Sequence, residues 1–194
     1  MIHQELWNTL KKIDPKEVER RSLASYTAEN ECFTLKIFNR DYFIYPKKQI
    51  IQSVDAPSES PVFYLYLASI NYLIGAKDIP LDGRWVSEKE FPSGLLFFRG
   101  QHEMPAGKIE EMYGQDKKGF ISVCRKLGGI AIEGGDAAFE LRVFPRLPVR
   151  LILWLADEEF PARLTYLFDR TANVHFLLDG IWAAGRLIEA FLTG

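Results

Sequence analysis

The chain has 194 residues, 47% hydrophobic, 13% aromatic and 26% charged, which suits one globular domain that buries ~70% of its unfolded surface. Fourteen Phe, eight Tyr and four Trp exclude a disordered or low-complexity chain. A net charge of −2, from 24 Lys+Arg against 26 Asp+Glu, argues against a protein that lives on a phosphate backbone, so no nucleic-acid partner is expected.

In chain order, Leu6, Trp7, Leu10 and Ile13 have helical spacing. Asp14-Pro15-Lys16-Glu17 reads as a second helix start, with a capping carboxylate, a first-turn proline and a glutamate at the capping-box position. From residue 32 to 45 the period is two. Phe33, Leu35 and Ile37 share one face, Phe43 and Tyr45 another, and Asn39-Arg40-Asp41 is the predicted turn. Residues 50–54 add a short strand, and 56–61 is a Pro/Ser break. A helix predicted from Ser60-Pro61 to Gly75 is apolar over most of its girth, which suits the centre of a domain. Residues 77–107, punctuated by proline and glycine, read as one long irregular loop of the kind that often carries function.

Two short helices follow, 108–113 and 116–127; the second carries Phe120, Val123, Cys124 and Leu127 as a core stripe and stops at Gly128-Gly129. Residues 138–143, 149–155 and 163–168 form a predicted antiparallel meander with Pro145 and Pro148 in a connection. Its middle strand, with Leu151, Leu153 and Leu155 on one face and Ile152 and Trp154 on the other, reads as internal and covered on both faces. The last helix begins at Asp179 as N-cap and turns Ile181, Ala184, Gly185, Ile188, Phe191 and Leu192 inward. This order lacks strand–helix alternation, so the predicted class is α+β with a mainly antiparallel sheet, an N-terminal hairpin and a C-terminal meander packed with helices. Residues 1–194 read as one domain, with a helical start and hairpin over 1–58 and the remainder over 59–194.

The sequence begins without the basic and apolar regions of a signal peptide, and its most apolar stretches fall short of the ~20 residues that span a bilayer. Cys32 and Cys124 give neither a disulfide framework nor a zinc spacing. A cytoplasmic protein with no membrane partner is expected. His3, His102 and His175 are isolated, so no metal site is expected. Pro92-Ser93-Gly94 lacks a nucleophile elbow, and the paired glycines at 128–129 and 134–135 make no phosphate loop.

Two polar clusters carry candidate chemistry. Asp157, Glu158 and Glu159 follow the middle strand; crowded carboxylates suit acid–base work or a cation, while a solvated turn is the simpler reading. Asp169 likewise reads as a turn former. The second cluster is Asp82, Arg84 and Trp85 together with Arg99 and His102 on the long loop. There the arginines suit ligand carboxylates, Trp85 a flat ring, and His102 an axial ligand or proton carrier. The alternative is a polar surface loop anchored by an inward Trp85.

From residue 60 to 192 several motifs occur in a fixed order: Ile79-Pro80-Leu81-Asp82-Gly83-Arg84-Trp85-Val86, Leu127-Gly128-Gly129, Gly135-Asp136-Ala137-Ala138-Phe139, Phe144-Pro145-Arg146-Leu147-Pro148, Asp157-Glu158-Glu159-Phe160-Pro161-Ala162 and Leu167-Phe168-Asp169. Together they resemble the domain of unknown function numbered 3786 of anaerobic bacteria and archaea. Some relatives carry that domain beside a four-cysteine iron–sulfur module, so the resemblance implies a setting in anaerobic one-carbon or corrinoid metabolism. Two cysteines cannot supply four thiolates, so no intrinsic iron–sulfur cluster is expected here. The resemblance carries no catalytic residues. The leading expectation is a non-catalytic binding or accessory domain, for a tetrapyrrole or corrinoid-type cofactor or a redox protein partner. The alternatives are an enzyme using Asp157, Glu158 and Glu159, and a protein-interaction module.

Overall fold

A computed structural model describes residues 4–55 and 63–194. His3, the break at 56–61, the helix start at Ser60-Pro61 and Val62 lie outside the described residues. The order of elements is α+β, as the periodicities predict, with two antiparallel sheets of four and five strands.

Helix α1 (Gln4–Leu10) buries Trp7 and Leu10. Helix α2 (Pro15–Ser22) starts as predicted, the Asp14 carboxylate accepting from the Lys16 amide at 3.1 Å. Glu17, however, reaches forward to Arg21 at 3.4 Å instead of back to the cap. Strands β1 (Ser25–Thr27), β2 (Cys32–Ile37), β3 (Arg40–Tyr45) and β4 (Ile50–Ser53) pair in sequence order. Phe33, Leu35 and Ile37 are buried together, as their spacing requires.

The β2–β3 turn corrects the expectation. Ile37 pairs with Arg40, so the turn is Phe38-Asn39, and Phe38 takes φ 53. A bulky residue is disfavoured there. Two tertiary contacts offset the strain: the Phe38 amide donates to the Val143 carbonyl at 3.1 Å, and its ring lies 4.9 Å from that of Phe191.

Helix α3 (Phe63–Gly75) touches both sheets. The Ile51 amide of β4 donates to the Tyr66 hydroxyl at 3.4 Å, and the Tyr72 ring stacks on Phe144 of the second sheet at 4.7 Å. The stretch predicted as one irregular loop holds short elements: β5 (Trp85–Val86), a 3-10 turn (Glu88–Glu90), α4 (Gly94–Phe97) and a second 3-10 turn (Gly100–His102). Helices α5 (Gly107–Tyr113) and α6 (Lys117–Lys126) follow, the latter capped by Asp116, which accepts from the Gly119 amide at 2.8 Å.

Strands β6 (Ile130–Ile132), β7 (Ala137–Phe144), β8 (Leu147–Trp154) and β9 (Arg163–Asp169) join β5 in the order β5-β9-β8-β7-β6. Strand β8 is central, but it is covered on one face only. Leu151 and Leu153 are fully buried, whereas Trp154 is 39% exposed and Ile152 half-buried. On that wetter face the Arg150 side chain lies over Trp85 and supplies partial cover instead of a second layer. Pro148 belongs to β8 and not to the connection: it pairs with Arg142 beside a register shift between Arg142 and Phe144, where a missing amide is tolerated. After α7 (Ala172–His175), helix α8 (Leu178–Thr193) buries Ile181, Ala184, Gly185, Ile188 and Leu192 of the predicted stripe and half-buries Phe191, but Leu177 and not Asp179 holds the cap position. Asp179 sits in the first turn, its carboxylate accepting from the Gly180 amide at 2.9 Å.

Arg146, in the β7–β8 turn, ties these layers together. Its guanidinium donates to the carbonyls of Arg21 at 2.6 Å and Ile79 at 2.7 Å and pairs with Asp78 at 2.6 Å. Its own amide donates to the Tyr72 hydroxyl at 3.0 Å, which in turn donates to the Ser22 carbonyl at 2.8 Å.

Nearby, His175 is 1% exposed and accepts from the Lys77 amide at Nδ1, 3.1 Å away. Burial, reinforced by the charge of Arg146, brings its pKa down to about 4. The native state therefore favours neutral imidazole, and the stability this contributes is present above the unfolded value near 6.5 and lost as pH falls toward the native one. About 3 kcal/mol should disappear between pH ~6.5 and ~4. His175→Asn keeps an acceptor for Lys77 and removes the titration. Urea melts across this range should show a much flatter slope for the variant, and an unchanged slope would contradict the assignment.

Among the described residues no helix is long and apolar enough to cross a membrane.

Candidate functional site

Strand β9 ends at Asp169, whose carboxylate is 1% exposed. Its Oδ1 accepts from the Thr171 amide at 2.9 Å, the Thr171 hydroxyl at 2.6 Å and the Asp82 amide at 3.2 Å, and its Oδ2 from the Gly83 amide at 2.7 Å. Burial alone would push the carboxyl upward. The bonds from Thr171, Gly83 and Asp82 outweigh it and hold the group below the usual carboxylate range. Gly83 turns the chain here with φ +74, a conformation glycine adopts without a side-chain penalty. Asp169 is thus the turn former the sequence suggests, and it also ties the segment before β5 to the end of β9.

This tie positions two arginines. Trp85 pairs with Asp169, and the Arg170 amide donates to the Arg84 carbonyl at 2.8 Å. Arg84 and Arg170 are therefore cross-strand neighbours. Both line an open cleft of about 620 Å³, together with Asp82, Val86, Glu90, Phe91, Pro92, Thr171, Asn173 and Val174. The arginines that form ion pairs among the described residues are Arg20, Arg21, Arg146, Arg150 and Arg186. Arg84 and Arg170 take part in none. Like charges opposite each other on paired chain segments repel, so an anion between them would be favoured.

Of the residues singled out in sequence, only Asp82 and Arg84 meet in this cleft. Trp85 alternates to the opposite side of β5 from Arg84 and Val86. There the Arg150 guanidinium lies 3.8 Å from its ring centroid, and Arg150 pairs with Glu140 at 3.2 Å. Arg99 donates from Nε to the Leu95 carbonyl of α4 at 2.6 Å. His102 stacks on Phe97 at 4.7 Å and meets the edge of Trp182 at 5.7 Å. Neither Arg99 nor His102 lines the cleft.

The carboxylates after β8 behave as a turn. Asp157 Oδ1 accepts from the amides of Glu159 at 2.8 Å and Phe160 at 2.7 Å, while Glu158 and Glu159 are exposed. Asp157 borders a separate groove with Asp136, Trp154 and Arg163, which Glu158 and Glu159 do not line. No group of three or more His, Cys, Asp or Glu among the described residues is placed to hold a metal ion. Cys32 and Cys124 are free and buried, and burial pushes both thiols up, Cys124 to about 12.

Sequence reasoning missed Arg170, Phe91, Thr171 and Asn173. The available signal was Asp169-Arg170-Thr171 at a strand end, where a buried carboxylate is followed by a cation and a hydroxyl. A haem or corrinoid metal needs an axial donor from the protein or its ligand set. The cleft is lined by no His, Cys, Met or Tyr, so its residues do not fit a tetrapyrrole ligated through the metal by this chain.

No curated protein and no solved structure matches the chain. A family profile described as domain of unknown function (DUF3786) matches residues 14–189, which takes in the first sheet as well as the region from 60 onward. Covering most of its length, that match places the chain in the DUF3786 family.

Proposed function

We propose that this chain is a non-catalytic binding domain whose ligand is an acidic small molecule held in the cleft between β5–β9 and the 88–92 segment. The observation that carries this reading is the pair of unpartnered guanidiniums of Arg84, just before β5, and Arg170, just after β9. The backbone that carries them is held by the buried Asp169, which accepts hydrogen bonds from both flanking segments. With the backbone on both sides already fixed, only the two arginine side chains need ordering when the ligand arrives. The cleft volume of about 620 Å³ lies within the range usual for small-molecule sites.

The anaerobic one-carbon or corrinoid setting that the family resemblance implies makes corrinoids and other tetrapyrroles natural members of a ligand panel. In this cleft a haem would be held through its propionates and a corrinoid through the phosphodiester of its nucleotide tail. A redox protein partner would have to present its own acidic side chain to the same arginines.

Thermal melts with haemin, cobalamin, citrate and phosphate test the reading. At least one should raise Tm in a concentration-dependent way, and Arg84→Gln or Arg170→Gln should abolish the rise. A panel with no shift at millimolar ligand would sink the proposal.

A further inference from the structure

The composition of the cleft walls narrows the ligand further, an inference that rests on the binding reading above. A single guanidinium fork satisfies both oxygens of one carboxylate. Arg84 and Arg170, neighbours through the backbone and both lining the cleft, offer two forks, and a ligand that engages both needs a third acceptor oxygen and a second negative charge. A phosphate monoester offers three acceptor oxygens and carries about −1.5 to −2 at neutral pH. The other charged groups of the cleft, Asp82 and Glu90, accept hydrogen bonds only, and neither pairs with an arginine among the described residues. They repel a ligand that is anionic throughout and favour one whose body offers hydroxyl donors. Glu90 is also held in place, its Oε1 accepting from the Ser87 amide at 2.8 Å.

We infer that the cleft binds a phosphate monoester of a hydroxyl-bearing small molecule, with the phosphate on Arg84 and Arg170 and the hydroxyls toward Asp82 and Glu90. Sugar phosphates and nucleotides share this chemistry. A nucleotide would add contact between its base and the Phe91-Pro92 side of the cleft, so affinity for the two classes separates them.

Calorimetric titrations of the full chain with ribose 5-phosphate, AMP, inorganic phosphate, ribose and succinate test the inference. One or both esters should bind more tightly than inorganic phosphate and succinate, and ribose should not bind. Arg84→Gln and Arg170→Gln should each weaken the ester by about tenfold or more, while Arg99→Gln, outside the cleft, should not. Both guanidiniums are exposed and unpaired, so the variants should melt no lower than the parent without ligand, which separates lost binding from lost fold. Asp82→Asn should narrow the gap between the two ligands, weakening the ester while inorganic phosphate, relieved of a repelling charge, binds as tightly or more tightly.

Succinate binding as tightly as the esters, or ester binding that survives both arginine variants, would overturn the inference. Inorganic phosphate binding as tightly as the esters would overturn its hydroxyl half. If citrate or haemin binds through Arg84 and Arg170 while no ester does, the phosphate inference fails and the binding reading stands. If nothing binds, both fail.

Discussion

Arg146→Met should cost the protein about 2–3 kcal/mol of stability, mainly because two half-buried carbonyls lose a charged donor at once. The substituted side chain still fills the space of the arginine stem. What it cannot do is donate, so the carbonyls of Arg21 and Ile79 lose their partners and Asp78 keeps only Arg20. The Arg146 side chain is only 12% exposed, so solvent reaches Asp78 more readily than the two carbonyls. Arg146→Lys should fall between the two, because one ammonium cannot serve three directions at the geometry a planar fork provides. Equilibrium urea unfolding measures the difference. A loss below about 1 kcal/mol for the methionine variant would place Arg146 among ordinary surface ion pairs.

Asp169→Ala should be at least as damaging, about 3 kcal/mol, because three amides and a hydroxyl lose a buried acceptor at once. Asp169→Asn separates charge from geometry. Its oxygen can still serve Thr171, but its amide group then meets the Gly83 amide, two donors face to face. We expect the asparagine variant to fold with reduced stability and to lose ligand binding, since the segment bearing Arg84 is no longer fixed against Arg170. The stability from Asp169 is present above the unfolded carboxyl pKa near 3.9 and is lost as pH falls through its lower native value. It therefore fades at more acidic pH than the His175 contribution. Full binding in Asp169→Asn would show that the arginines need no such anchor.

Periodicity made most of the architecture legible. Alternation at Phe33, Leu35 and Ile37 and the stripe from Ile181 to Leu192 each mark an inward face, and the structure buries all of them but the half-buried Phe191. The predicted meander is the core of the second sheet. The errors fall where distant contacts decide local geometry. Phe38 occupies a left-handed turn position because Val143 and Phe191 hold it there, and neither is its neighbour in sequence. The candidate site was less legible for a related reason. Strand β5 is two residues long, too short to show alternation, so nothing in the sequence says that Trp85 and Arg84 face opposite ways. Residues contiguous in sequence drew attention to Arg99, His102 and the Asp157–Glu159 run, whereas the cleft is completed by Arg170, which reaches Arg84 only through strand pairing.

The Tyr72 hydroxyl joins segments 50 and 74 residues away along the chain, Ser22 on one side and Arg146 on the other. Contacts of that span form late, because closing each loop costs entropy before the contact repays it. A nascent chain that has emerged only through α3 already carries the tyrosine and its N-terminal partner but not the β7–β8 turn that completes the bridge. During synthesis the aromatic face of α3 must wait for Phe144 to arrive, a window in which it is available to chaperones.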